Sequence, residues 1–513
     1  MNRDTAAAWK YHNSTKHSYS SIRTALHQLD WANKPLEYKI YPTLSLTRLS
    51  YEGRPTGVAA MSALAVPKDP AASDREPDLE TLAQILFLSA GITKKKKYPG
   101  GEIFFRAAAC TGALYEIELY LVCGDLRDFP AGVYHFGVAE FGLRQLRAGD
   151  YRRTIAEFAG NESSILQAPV ILVCSGTYWR NAWKYQARTY RHFGWDNGTI
   201  LANLLALGSA LALPTKVVAG FIDQSLNDFL GLDTRREVTF SLLSLGRRPT
   251  EAPRGMSKIP ALELALLSAS KAEVDYPLMR EMHQASSLLS PEEVAAWRGH
   301  VPTRTLTAES EVISLPRVVN GPPTDQIEQV IIRRGSTRKF ARAPITQTQL
   351  SILLQAATGP IPADFLDGAD RHLNDLYVIV NDVEDVAPGG YVYLPDQHAL
   401  KLLRQGNFRK MAGYLALEQE LAAFASVCIF FLADLNTVFN RFGNRGYRAV
   451  QLEAGIMGGK LYIAAYAQHL GATGLTFYDD DVTRFFSPHA EGKSAIFLVA
   501  AGRSAFASEA HTA

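Results

Sequence analysis

The chain has 513 residues, 47% of them hydrophobic and 20% charged, with a formal net charge of +2. That length exceeds one typical domain and fits two or three. The near-neutral balance gives no electrostatic case for nucleic acid or an acidic membrane surface as the main partner.

The amino-terminal MNRDTAAAWKYHNSTKHSYS lacks the apolar run of a secretory signal. Residues 1–40 are predicted to form a helical extension. The KKKK run, Lys94 to Lys97, lies between glycine-containing turns and reads as a solvated loop. The longest apolar run, Ile200 to Leu213, is too short to span a membrane and ends at Pro214. Cys110, Cys123, Cys174 and Cys428 form no CxxC pair and no metal-like spacing with histidine. The expectation is a cytoplasmic protein with reduced thiols and no bound metal.

A repeat organises the chain. GVYHFGVAEFGLRQLRAGDYR, from Gly132, aligns without a gap on GGYVYLPDQHALKLLRQGNFR, from Gly389. The same shift places YRHFGWDNGTI at Tyr190 on YRAVQLEAGIM at Tyr447, so Asp196 matches Glu453. Self-similarity at this period means two copies of a domain. The predicted halves are residues 41–250 and 325–507, with 251–324 between them. In that connector IPALELALLSASKAEVDYPLMREMHQ reads as helical, SPEE opens a second helix at Ser290, and VPTRTLTAESEVISLPRVVNGPP reads as linker. LYLVCG, VILVCS, DLYVIV, VCIFFLA and SAIFLVAAG are β-rich runs suited to buried strands. TILANLLALGSALAL and GGKLYIAAYAQHL are apolar helices. The fold class is α+β, a sheet wrapped by helices and made twice.

IIRRGSTRKFARAPITQTQL, from Ile331, holds Arg334, Ser336 and Arg338 two residues apart between two helices. Two guanidinium forks and a hydroxyl at that spacing can converge on one phosphate. RRGSTRKF followed by LSILLQAATG resembles the opening of FMN-dependent nitroreductase-fold enzymes. The resemblance implies that Arg334, Ser336 and Arg338 hold the FMN phosphate. It implies further that HLGATGLTFYDD packs backbone on the flavin at Gly474, and that Arg503 closes over the phosphate. Gly474 suits that task, since no Cβ stands in the way.

The first half resembles a narrower branch, the SagB/ThcOx-type dehydrogenases, through YHNSTKHSY, RAAACTGALYEIELYLV, WKYQARTYRH and GFIDQSLNDFLGLD. Members of that branch oxidise azoline rings to azoles. The resemblance puts their Lys-Tyr pair on Lys184 and Tyr185, whose repeat mates are Arg441 and Phe442. It puts the flavin-covering loop on Ala109–Glu116, with Thr111 and Gly112 against the cofactor. There Cys110 replaces the usual Ser and reads as a small buried group. The second half's loop, GPIPADFLDGADRHL, lacks a Ser-Gly pattern, and before Leu82 the first half offers only TLSLTRLS. Each half lacks what the other retains, so an intramolecular pseudo-dimer with one FMN between the halves is expected.

The implied substrate is a small-molecule, peptide or carrier-bound azoline, with a cyclodehydratase or peptide synthetase as possible partner. Asp196 and Glu453, being repeated, read as helix caps or salt bridges, and Tyr190, Arg191, Tyr447 and Arg448 as architecture. Two alternatives stand beside the dehydrogenase: an NAD(P)H-dependent nitro or quinone reductase, and a flavin-free binding scaffold.

Overall fold

The computed structural model describes residues 2–65, 74–98, 101–253, 259–300, 312–317, 323–366 and 371–506. Two seven-stranded sheets carry the fold. Across the first the order is Leu46–Arg48, Gly142–Ala148, Gly132–Gly137, Ile117–Cys123, Val170–Thr177, Glu237–Leu245 and Thr215–Val218. Across the second it is Val312–Ser314, Ala399–Gln405, Gly389–Leu394, Asp375–Val380, Val427–Ala433, Ser494–Gly502 and Gly471–Gly474. The two orders are the same, strand for strand. The five β-rich runs of the sequence are all strands. The two apolar runs form the carboxyl-terminal parts of the helices Thr189–Ala210 and Gly446–Ala467, each running three residues past the helix end. The chain is α+β, two tandem domains closed as a pseudo-dimer.

The two long helices cross at the centre, and glycine sets how closely. A Cβ on Gly198 would stand 2.5 Å from the Gly455 backbone, and one on Gly455 2.6 Å from the carbonyl oxygens of Gly194 and Trp195. Nearly every residue of both helices is buried, Arg191, Asp196, Arg448 and Glu453 included.

Two ionic clamps flank this crossing. Arg188 and Arg191 of the first half grip Asp479 of the second at 3.1 and 2.6 Å. Arg445 and Arg448 of the second half grip Asp223 of the first at 2.5 and 2.6 Å. The clamps share their accessory parts. Arg191 also donates to the His12 carbonyl and the Thr15 hydroxyl, and Arg448 to the His283 carbonyl and the Ser286 hydroxyl. Helices Ala6–Ser14 and Pro277–Ala285 therefore play the same part in the two halves.

Several local readings differ. Of residues 260–284 only those from Pro277 on are helical. ALELALL fits a period of two as well, and as extended chain Leu262 and Leu264 reach the outer core of the first sheet. The KKKK run is the strand Ile92–Tyr98 of a hairpin with Gly101–Arg106, not a loop. TLSLTRLS contains an edge strand, Leu46–Arg48, whose mate is Val312–Ser314 at the edge of the second sheet. That mate falls in the stretch read as linker. The helix matching Ile327–Arg333 is Ala60–Leu64, and the flanking Ala59 and Gln326 pair with each other. The first half's counterpart of Arg334–Arg338 thus begins after Ala65, outside the described residues.

Candidate active site

The cleft lies where the turn after Ile327–Arg333 meets the loop after the lysine hairpin. Arg334 ends its helix and turns its guanidinium into the first half. Nε donates to the Ala107 carbonyl at 3.0 Å and Nη2 to that of Arg106 at 2.8 Å. Ser336 Oγ is 3.3 Å from Tyr462 Oη, which accepts the Gly474 N–H at 2.6 Å. Tyr462 thus joins the turn to the Gly471–Gly474 strand. Arg338 is exposed and has no hydrogen-bond or ion-pair partner among the described residues. Arg503 is exposed and donates to the Pro344 carbonyl. Its backbone pairs with Ala341, three residues after Arg338, and no contact brings its side chain to Arg334.

Lys94 was not foreseen here. Its Nζ donates to the carbonyls of Arg333 and Arg334 at 2.8 and 3.0 Å. Burial, with Arg334 and Lys96 nearby, lowers its pKa to about 8. Strand alternation could have found it, because it sends Lys94 and Lys96 to one face and Lys95 and Lys97 to the other, beside Glu102.

On the first half the loop is tightly wound. Gly112, Ala113 and Tyr115 have φ of +65°, +54° and +53°. Gly112 is required twice: its φ favours glycine, and a Cβ would stand 2.7 Å from Tyr185 Oη. Asp196 holds the loop from mid-helix, accepting from the Thr111 N–H, the Thr111 hydroxyl and Cys110 Sγ. Glu453 does the same in the second half, accepting the N–H groups of Leu373 and Asn374. These repeated acids fasten loops; they do not cap helices. Burial and then Glu116 hold the Asp196 pKa well above the carboxylate range. Burial with Asp196 and Glu116 does the same to the Cys110 thiol, which is therefore no thiolate nucleophile. Among the described residues, Cys110, Glu116 and Asp196 are the one group with metal-ligand spacing, and it contains no histidine.

Lys184 and Tyr185 close the helix Tyr178–Tyr185 beside this loop. Lys184 Nζ is 5.3 Å from the Tyr185 ring centre, and the ring packs edge-on against His192 at 4.8 Å. Burial and the charge of Arg338 lower the Lys184 pKa. Burial, then Asp196, raise that of Tyr185, keeping it a phenol that can donate a proton. Lys184 and Tyr185 from one half thus lie within electrostatic reach of Arg338 from the other.

A model of the nitroreductase family matches residues 331–502. Over 166 residues the chain is 30% identical to a candidate nitroreductase of Methanocaldococcus jannaschii, covering 82% of that protein and 31% of this one. The chain belongs to the nitroreductase family. A crystal structure of a candidate nitroreductase from Anabaena variabilis aligns with 97% of this chain and 99% of its own, at 24% identity and a TM-score of 0.76, so the tandem fold is shared throughout. A candidate nitroreductase from Desulfovibrio desulfuricans, crystallised with FMN, aligns with 36% of this chain and 88% of its own at 17% identity and a TM-score of 0.25. Membership implies an FMN-dependent oxidoreductase.

The residues present fit FMN. Lys94 lies beside Arg334, Arg338 follows on the same turn, and none of the three forms an ion pair with a carboxylate among the described residues. Such a cluster calls for an anion with the charge of a phosphate. The Thr111 hydroxyl donates to Asp196 at 2.9 Å. Among the described residues no helix is long and apolar enough to cross a membrane.

Proposed function

We propose that this chain is an FMN-dependent dehydrogenase that oxidises an azoline ring, a thiazoline or oxazoline in a peptide or carrier-bound intermediate, to the azole. The observation that carries the reading is the placement of Lys184 and Tyr185. They sit on the first half beside Gly112, within electrostatic reach of Arg338 on the second. Bound FMN supplies the hydride acceptor. Arg334, Ser336, Arg338 and Lys94 would hold its phosphate, and the backbone at Gly474 and the Thr111–Gly112 loop would complete its site. Arg503, at the rim, covers the site. Lys184, its basicity lowered by burial and a cationic neighbour, reaches neutrality more readily and takes the proton from the substrate carbon. Tyr185 donates to the ring heteroatom. A cyclodehydratase or a peptide synthetase would supply the ring.

One flavin per chain is proposed. The strand matching Gly471–Gly474 is Thr215–Val218, and residues 359–366 of the second half lie along it. Val217 N–H donates to the Pro362 carbonyl at 2.8 Å, and the Asp364 carboxylate accepts the N–H groups of Ala219 and Gly220 at 2.8 and 2.9 Å. The corresponding edge, Gly471–Gly474, is met instead by its own half, the Thr337 N–H donating to the Ala472 carbonyl at 2.9 Å. Protein-derived cover thus takes the place where a second cofactor would lie.

Lys184→Met and Tyr185→Phe are expected to lower azoline oxidation at least about a hundredfold, with the flavin spectrum and its one-to-one stoichiometry unchanged. Arg338→Met removes a cation, raises the Lys184 pKa and moves the acid limb of the rate profile to higher pH. Full dehydrogenase activity in Lys184→Met, or two flavins per chain, would refute the reading. Retention of NAD(P)H-driven nitro reduction as the sole activity would favour the reductase.

A further inference from the structure

On the face of the first sheet turned away from the long-helix crossing, a cavity of about 590 Å³ lies between the helix Asp223–Leu230 and the extended residues 259–262. Its walls are Phe158, Phe229, Ile259 and Leu262, and one cation, Arg147, lines it. Arg147 is 7% exposed. Its guanidinium lies 5.1 Å over the Phe229 ring, and Nε donates to the Phe229 carbonyl at 3.1 Å. Tyr151 hydrogen-bonds the guanidinium, Nη2 is enclosed and without a hydrogen-bond partner, and no carboxylate forms an ion pair with Arg147 among the described residues. A guanidinium withdrawn from water without a counter-ion is a costly arrangement that an anionic ligand relieves.

The second half provides the contrast. Arg404, the repeat mate of Arg147, stacks on Phe485 at 5.2 Å, but it is exposed. The shared pair becomes a cavity only where the connector roofs it. The size lies within the range of small-molecule sites. Asp228 and Asp233, both exposed, line the mouth. Their charge repels nucleotides and other polyanions and tolerates a ligand whose far end is neutral or cationic.

We propose that this cavity binds a small monocarboxylate with an aromatic or branched aliphatic body, its carboxylate on Arg147 and its body between Phe229 and Leu262. The site lies behind the first sheet, so it is distinct from the flavin cleft.

Titration calorimetry of the full, flavin-loaded chain with phenylacetate, phenylacetamide and ATP tests this. Phenylacetate is expected to bind, the neutral amide at least about tenfold more weakly, and ATP not at all. Arg147→Met should weaken phenylacetate by a similar factor and leave the flavin spectrum unaltered. Should that variant fail to fold, Ile259→Asp places a repelling carboxylate on the half-exposed roof and should abolish binding. Equal affinity for acid and amide, unchanged binding in either variant, or no heat with phenylacetate up to solubility would overturn the proposal.

Discussion

The same short helix occurs in both halves, Tyr178–Tyr185 in the first and Leu435–Phe442 in the second, each leading through one 3-10 turn into a long central helix. Its end is half open in the first half, where Lys184 and Tyr185 face Arg338. It is sealed in the second. There Arg441 donates to the carbonyls of Ala296, Arg298 and His300, and Phe442 is fully buried against Trp297. The Phe442 carbonyl also accepts from Trp297 Nε1 and Asn2 Nδ2. Both halves keep the groups that lock them together, and only in the first is the end of this helix left open.

If the frame is shared, its two clamps should cost alike when broken. Asp223→Asn and Asp479→Asn each leave two buried guanidiniums without a counter-ion. Each is expected to lose about 3–5 kcal/mol in urea denaturation. Burial alone would raise the Asp223 pKa, but Arg445 and Arg448 outweigh it and bring it to about 2. Its contribution is therefore complete above the ordinary carboxylate value and is lost as pH falls toward about 2. Asp223→Asn should lack that acid-side loss, and Asp479→Asn, which keeps Asp223, should retain it. A cost below about 1 kcal/mol for one and not the other would break the equivalence of the halves.

Chemistry should separate where frame does not. Arg441→Met removes three hydrogen bonds to connector carbonyls and is expected to cost about 1–3 kcal/mol of stability. Its effect on substrate oxidation should be nil. Lys184→Met, half exposed, should do the reverse. Paired denaturation and rate measurements on the two variants decide the matter; a catalytic defect in Arg441→Met would mean that the second half's site still works.

Much of this was legible because repetition is a strong signal. The shift joining Tyr190 to Tyr447 found both long helices, one arginine of each clamp, Arg191 and Arg448, and the mates of Lys184 and Tyr185. What escaped involved partners far apart in sequence. Asp223 and Asp479 carry no local mark of pairing, and the recurrence of His12 and Thr15 as His283 and Ser286 follows a different shift. Alternation along ITKKKKY would have shown two faces, but not that one face lies on Arg333 and Arg334. Tyr462 was hidden in an apolar helix, where only its tertiary contact with Gly474 distinguishes it. The role of Asp364 rests on backbone amides of the other half, which no side-chain pattern reveals.

Lys94 sharpens the contrast from the cofactor side, since the first half lends a cation to the second half's turn. Lys94→Met is expected to weaken FMN about tenfold, measured by flavin fluorescence on reconstitution. Burial and Arg334 place its pKa at about 8. Above that value the amine is neutral, so wild-type affinity should fall as pH rises past about 8. The variant should show no such fall. An identical pH profile in both would remove Lys94 from the phosphate grip.

The smallest effect concerns the residue that follows each helix. Gln186 has φ +50° and ψ −140°, and its mate Gly443 has φ +65° and ψ −155°. A side chain at 443 is excluded, because a Cβ would stand 2.2 Å from the Asn2 carbonyl oxygen. At 186 the side chain is exposed, so sterics permit it and the backbone bears the strain. Residues in such regions cost of order 1–3 kcal/mol, while glycine carries about 0.5–1 kcal/mol of extra chain entropy. Gln186→Gly should therefore stabilise the protein by about 1 kcal/mol in urea denaturation. The Gln186 side chain reaches Tyr276, and its backbone sets the direction in which Lys184 and Tyr185 leave the helix. A more stable but slower Gln186→Gly would mean that the strain serves the open end of the helix. A more stable and equally active variant would mean that only the frame ever needed the turn.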